Sequence, residues 1–277
     1  MNACTWWLGV HQPNWAWDGT ARGPVFISAR RLRKRKSPYP KAVVPIAIDS
    51  GGFTELSTFG RWSVGPEQYA AEVRAWSRQL GTVEWAAIQD WMCEPWILEG
   101  GSPPGGGPRA PGTGLTVAEH QRRTVESYLD LRYLAPEIWW LPVLQGYAID
   151  DYRRHMDAYR RAGIDLRRHR LVGVGSVCRR HDVDEIRAIV RGLADCGLRL
   201  HGFGLKTRAL ESIAGALASA DSLAWSFDGR KDTCVRGLRD NHGRSLQNSA
   251  EHAEAFRLRM LSLIEAARSG RQGRRLS

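Results

Sequence analysis

The chain has 277 residues, the usual size of one (β/α)8 barrel, and a composition of 43% hydrophobic and 25% charged residues that excludes a disordered or fibrous protein. No apolar run reaches the roughly 20 residues of a membrane span, and the first residues lack the basic-then-apolar pattern of a secretory leader, so a cytoplasmic protein with no membrane partner is expected. Forty Lys and Arg against 29 Asp and Glu give +11, mostly from arginine, whose forked guanidinium suits phosphate oxygens. Five scattered cysteines argue for reduced thiols and against a disulfide framework.

In chain order, short apolar runs predict strands at Trp6–Val10, Pro24–Ser28, Val43–Asp49, Trp85–Asp90, Trp139–Gln145, Leu171–Val177, Leu200–Leu205 and Ser222–Phe227. Helical periodicity intervenes at Pro66–Leu80, Thr116–Leu134, Ile149–Ala162, Val183–Cys196 and Thr207–Ala218, with a last helix near Ala250–Ala267. Pro66 suits a first helical turn, and Asp182 followed by Glu185 reads as a cap. Eight strands alternating with helices predict an α/β fold, a single-domain (β/α)8 TIM barrel over residues 1–267. The Gly/Pro-rich stretch 100–114 can be neither strand nor helix and reads as a mobile loop at the barrel mouth or a plain insertion, and 268–277 reads as a basic disordered tail.

Polar residues recur where these strands end: Asp49, Asp90, Gln145, Gly175-Ser176, the His201-Gly-Phe-Gly-Leu-Lys run, and Asp221. In a parallel barrel all C-terminal strand ends converge on one mouth, so residues far apart in sequence can line one pocket. Each residue also has a structural reading: Asp49 as a turn or cap before Ser-Gly-Gly, Asp90 as a helix cap, Gln145 as a satisfied interior amide.

Asp-Ser-Gly-Gly-Phe (49–53), Leu-Gln-Gly (144–146), Gly-Phe-Gly (202–204) and the following Asp221 resemble the motifs of the tRNA-guanine transglycosylase superfamily. The resemblance is closer still to the DpdA-type 7-deazaguanine DNA transglycosylases of phages and bacteria. It is carried by Gly-Val-His-Gln-Pro-Asn-Trp (9–15), Asp-Ser-Gly-Gly-Phe-Thr-Glu-Leu-Ser (49–57), Gln-Asp-Trp-Met-Cys-Glu-Pro (89–95), His-Gly-Phe-Gly-Leu-Lys (201–206) and Ala-Asp-Ser-Leu-Ala-Trp-Ser (220–226).

That resemblance implies exchange of guanine in DNA for a free 7-deazaguanine such as preQ0, with Asp221 as the attacking carboxylate and Asp49 as general acid and base. Asp90, Gln145, Gly146, Gly175, Ser176, Gly202 and Gly204 become the base-binding set. Trp91, Tyr147 and Trp225 adjoin them and could stack on a flipped base, or simply pack; Trp6, Trp7, Trp85, Trp139 and Trp140 read as core. Exchange in tRNA and a non-catalytic nucleic-acid-binding barrel are the alternatives.

The superfamily's structural zinc needs three cysteines and a histidine, but here only Cys234 and His242 fall in the corresponding stretch, so no zinc and no other cofactor are expected. His11 matches a family position as a substrate contact or a structural histidine. The run Arg30, Arg31, Arg33, Lys34, Arg35 and Lys36, the helical face of Arg153, Arg154, Arg160 and Arg161, and the pair Arg179 and Arg180 are the candidate phosphate contacts.

Overall fold

The computed structural model describes residues 4–178, 180 and 182–273. Its elements in order are β1 (Thr5–Val10), β2 (Val25–Ser28), α1 (Ala29–Leu32), β3 (Ile46–Asp49), α2 (Gly52–Phe59), α3 (Pro66–Leu80), β4 (Val83–Ala87), α4 (Pro95–Leu98) and α5 (Val117–Leu134). There follow β5 (Trp140–Leu141), β6 (Val143–Leu144), α6 (Ile149–Arg161), β7 (Val172–Val174), α7 (Val183–Asp195), β8 (Leu200–Gly202), α8 (Thr207–Ile213), β9 (Ser219–Ser222), α9 (Ala224–Arg236) and α10 (Ala250–Gly273).

The strands pair in the order β5-β4-β3-β2-β1-β9-β8-β7-β6, all parallel. The two ends of this ribbon are halves of one segment separated by Pro142. Proline cannot donate to a ladder, so the strand is interrupted there, yet the Pro142 carbonyl accepts from Gly173 N–H at 2.8 Å and carries the pairing across. The ribbon therefore closes on itself, and the result is the expected single-domain α/β barrel of eight strand positions.

Alternation along each strand sorts side chains between two layers. Trp6, Leu8 and Val10 of β1 face the helices, where Trp6 meets Phe256 of α10. Trp7 faces inward with Phe26, Ala47, Trp85, Leu141 and Leu171. Trp7 and Trp85 meet edge to face at 5.4 Å and, at 2% and 1% exposure, plug the barrel interior. Burying an apolar side chain of this size contributes about 1.5–3 kcal/mol, and this plug makes the interior a packed core that leaves functional groups only the C-terminal mouth.

Helix starts follow their local chemistry. Pro66 opens α3, the Thr116 hydroxyl accepts from Glu119 N–H at 3.2 Å to open α5, and the Asp182 carboxylate accepts from Asp184 and Glu185 N–H at 2.8 and 3.2 Å to open α7.

Two expectations change. The last strand is Ser219–Ser222, not Ser222–Phe227, so Asp221 lies inside β9 and the Ala-Trp-Ser-Phe stretch begins α9. The final helix continues past Ala267 to Gly273, into the segment read as a tail. The 100–114 segment, between α4 and α5, is tied by a bridge between Gly101 and Ala110 and by Thr113 N–H to the Ile97 and Leu98 carbonyls; the last four residues of the tail lie outside the described residues.

Candidate active site

At the C-terminal ends of the strands lies a cavity of about 250 Å3 that brings together Asp49, Asp90, Gln145, Gly175, Ser176 and Asp221. Gly204 also lines it, as do His11 and Arg31. The convergence expected from the strand ends is thus present in the fold, and with it come aromatic walls the sequence reading did not single out, Phe26, Phe53 and Phe203.

Asp49 is the last residue of β3, and the chain turns at once into α2 through Gly51, at φ 86°. A Cβ on Gly51 would lie 2.9 Å from Arg30 Cγ in a conformation L side chains rarely adopt, which explains glycine there. This turn aims the Gly51 N–H, together with the Ser28 hydroxyl, at the Asp49 carboxylate. Burial nevertheless pushes Asp49 up to about 6, and the Asp221 charge adds in the same direction against those two hydrogen bonds.

Asp90 follows β4 and is pushed up to about 7, chiefly by burial and further by the Asp49 charge, while its hydrogen bond from Gln145 pulls it down. Gln145 Nε2 donates to Asp90 Oδ2, and Gln145 Oε1 lies 2.6 Å from Ser176 Oγ. Ser176 in turn accepts from Cys93 N–H at 2.9 Å and lies 2.7 Å from Glu94 Oε2. Its φ of 55° is the one positive value among the described non-glycine residues, a strained position held by these contacts. Next to it, a Cβ on Gly175 would sit 2.1 Å from Gln145 Nε2, so this glycine is what lets the amide occupy the pocket.

Asp221 Oδ1 accepts from Gly204 N–H at 3.0 Å and lies 3.2 Å from His201 Nε2; His201 Nδ1 lies 2.8 Å from Ser219 Oγ. Asp221 is 5% exposed and His201 fully buried. The arrangement is three carboxylates around one pocket. Two of them, Asp49 and Asp90, are raised toward neutrality, and the third is oriented by donors. Such a set can move a proton and hold a carboxylate against an electrophilic carbon.

Several candidates fall elsewhere. Trp225 is 1% exposed, donates from Nε1 to the Gly9 carbonyl at 2.8 Å and stacks on Trp15 and His11, so it is packed in the core and does not line the cavity. Trp91 packs edge-on against His120 under the Arg123 guanidinium. Tyr147 has the Arg180 guanidinium over one ring face at 4.3 Å and is otherwise exposed. Neither Trp91 nor Tyr147 lines the cavity. Gly146 and Gly202 do not line it either: a Cβ would meet Asp151 and Tyr152 in the first case and Leu205 in the second, so both are packing glycines. His11, at the rim, has Nε2 2.8 Å from Asn248 Oδ1.

The basic candidates divide as well. Arg180 is 8% exposed and bonds the Ser176 and Tyr147 carbonyls and Glu185, so it braces the pocket loop and does not face phosphates. Arg153 pairs with Asp150, Arg154 with Asp151 and Arg160 with Asp157, each along α6 itself, which largely neutralises the face read as basic. Arg30 pairs with Glu55 and Arg33 with Glu72, and Arg35 covers Trp17 and Tyr39. Arg31, Lys34 and Lys36 remain exposed, and Arg31 reaches the cavity. Arg179 lies outside the described residues.

The two residues that remain of the zinc pattern do not fit the metal. Cys234 is exposed on α9, and the His242 segment is a turn closed by Asp240 Oδ1, which accepts from His242 and Arg244 N–H at 2.9 and 2.8 Å. Two ligands do not close a tetrahedral zinc site, and among the described residues no group of three His, Cys, Asp or Glu side chains is placed to hold a metal. Among the same residues, no helix is long and apolar enough to cross a membrane.

No curated protein matches the chain in sequence. Among solved structures it is similar to one described as an isomerase from Sinorhizobium meliloti in an open-loop conformation, with TM-score 0.39 and 11% identity over 79% of this chain and 49% of that one. This chain thus spans about half the length of that protein. It is also similar to the YdjI aldolase from Escherichia coli K12, with TM-score 0.37 and 12% identity over 95% of this chain and 90% of that one. A third likeness is to pyruvate carboxylase from Rhizobium etli, with TM-score 0.31 and 10% identity over 81% and 21% of the two chains. The family model for DpdA, DeoxyPurine in DNA protein A, matches residues 2–272, nearly the whole barrel with every strand end that lines the cavity. The chain belongs to the DpdA family, DeoxyPurine in DNA protein A.

Proposed function

We propose that the protein exchanges guanine in DNA for a free 7-deazaguanine base such as preQ0, through a covalent intermediate on Asp221 and without a resident metal. The observation that carries this reading is the convergence of Asp49, Asp90, Gln145 and Asp221 on one cavity, with two of the three carboxylates raised toward neutrality.

A guanine bonded to C1′ leaves when the C1′–N9 electron pair goes to the base and Asp49, whose carboxyl is raised to about 6, supplies a proton to it from its protonated form. Asp221 then closes a bond from carboxylate oxygen to C1′, as the nucleophile of a retaining glycosidase does. In the second half, N9 of the incoming base attacks C1′, the ester bond to Asp221 breaks, and the N9 proton passes to Asp49. The proton balance closes within the site, and Asp221 is returned as a carboxylate.

Asp90 and the Gln145 amide present an acceptor and amide groups side by side, as needed to read the N1–H, exocyclic amine and carbonyl of a guanine-like edge. Leaving one of these buried groups unpaired costs about 1–3 kcal/mol, so several failing together would exclude adenine by orders of magnitude. Phe53 and Phe203, both lining the cavity, supply flat surfaces for the ring. Arg31, exposed and lining the same cavity, supports the reading as a contact for a phosphate of the same strand.

The test is incubation with labelled preQ0 and either duplex DNA or tRNA, followed by digestion to nucleosides and mass spectrometry. The reading expects the label as a deoxynucleoside from DNA. Label recovered from tRNA alone would move the substrate to RNA, and no label in either would leave a binding barrel.

A further inference from the structure

We infer that His201 is a positioning residue that fixes the attacking carboxylate, acting as the middle member of a Ser219–His201–Asp221 chain inside the barrel. The inference rests on Asp221 as the nucleophile and goes beyond it by naming what aims that group.

The placement follows from strand register. Ser219 and Asp221 are two residues apart on β9 and so point to the same side, and His201 of β8 is paired with Ser219. The imidazole thus stands between them, with Nδ1 2.8 Å from Ser219 Oγ and Nε2 3.2 Å from Asp221 Oδ1. Three rings hold it: Phe203 at 4.6 Å and 78°, Trp85 at 4.9 Å and 69°, and Phe26 at 5.9 Å and 61°. Turning the ring would strike these walls.

The hydrogen-bond pattern selects one tautomer. A carboxylate only accepts, so the nitrogen facing Asp221 must carry the hydrogen, and in the neutral ring Nδ1 then accepts from the Ser219 hydroxyl. Oδ1 thereby takes two donors, His201 Nε2–H and Gly204 N–H at 3.0 Å. With Oδ1 fixed, Oδ2 becomes the oxygen presented to C1′. A nucleophile held in this way spends no reorganisation in reaching the sugar, whereas a carboxylate with one donor could swing about its Cβ–Cγ bond. A merely space-filling histidine predicts neither the tautomer nor a kinetic role.

The test uses the full-length protein in two measurements: nitrogen-15 NMR of labelled histidine, and single-turnover release of guanine from DNA by wild type, His201→Leu and His201→Gln. His201 is expected as the Nε2–H tautomer. His201→Leu should release guanine roughly 10- to 100-fold more slowly, the scale of one hydrogen bond to a charged group, with DNA Kd and free-base KM within about twofold of wild type. His201→Gln, whose side-chain amide can donate to the same carboxylate, should recover most of that rate. An Nδ1–H tautomer, a wild-type rate in His201→Leu, or no recovery in His201→Gln overturns the inference. Should His201→Leu fail to fold, Ser219→Ala replaces it: slower release with unchanged Kd supports the chain, and an unchanged rate overturns it. Failure of the parent reading is separate, because absence of an adduct on Asp221 in the wild-type protein would overturn the nucleophile and leave the tautomer measurement standing.

Discussion

Asp49, at the end of β3, and Asp221, inside β9, lie on strands separated by β2 and β1, yet both line one cavity and the Asp221 charge helps hold Asp49 up to about 6. A carboxyl tuned to that range can be acid in one half of an exchange and base in the other.

The two halves should therefore respond to pH in opposite senses. Release of guanine needs protonated Asp49 and should slow as pH rises through about 6; capture of the incoming base needs the carboxylate and should slow as pH falls through the same region. Asp90 is coupled to Asp49, so the midpoints belong to the pair. Rapid-quench measurement of each half-reaction between pH 5 and 8 would show this, and parallel profiles would remove Asp49 from proton transfer.

Stability carries the same sign. Asp90 rises from an ordinary 3.8 to about 7 in the fold, so the folded state binds the proton more tightly and loses stability as pH climbs from the ordinary value through about 7. Asp90→Asn removes that loss and should be more stable than wild type at pH 8 by roughly 1–3 kcal/mol, with little difference near pH 4. Urea unfolding at the two pH values checks it. The same variant should weaken use of the free base far more than DNA affinity, because Asp90 faces the pocket.

Gly175→Ala is expected to be costly for its size. The added methyl would fall 2.1 Å from Gln145 Nε2, and Gln145 is pinned by Asp90 and Ser176. Displacing it should destabilise the protein by about 1–3 kcal/mol and raise KM for the base while the DNA Kd stays near wild type. Thermal unfolding and steady-state kinetics measure the two effects.

The basic residues differ in what they can give to DNA. Arg31 lines the cavity and is exposed, whereas Arg153 is already paired with Asp150. Arg31→Ala should flatten the dependence of log K on log salt by about 1, near the 0.9 expected per phosphate, and Arg153→Ala by much less. Equal slopes in the two variants would show that the rim is not the phosphate site.

Much of this was legible in the sequence, because short apolar strands ending in Asp49, Asp90 and Gln145 already state the barrel and its mouth. The last strand was not. Ser219–Ser222 is short and made of small and polar residues, so it has almost no apolar signal, and the neighbouring Leu-Ala-Trp stretch offered a stronger one that belongs to α9. Trp225 was misplaced for the same reason: a helical first turn points its ring back to Gly9 and Trp15, and it does not line the cavity. The α6 face was misread by counting its arginines without the aspartates three positions earlier that pair with them. His201 stood within a quoted motif, but its role depends on cross-strand register, which sequence spacing does not express.

The central claim is that Asp221 attacks C1′ of a nucleotide in DNA. Rapid acid quench of the wild-type protein with guanine-containing DNA, followed by nuclease digestion and peptide mass spectrometry, tests it directly. The account predicts a deoxyribosyl adduct on the peptide containing Asp221, absent from a folded, DNA-binding Asp221→Asn variant that no longer exchanges bases. An adduct on another residue, or wild-type-like turnover by Asp221→Asn, would contradict it.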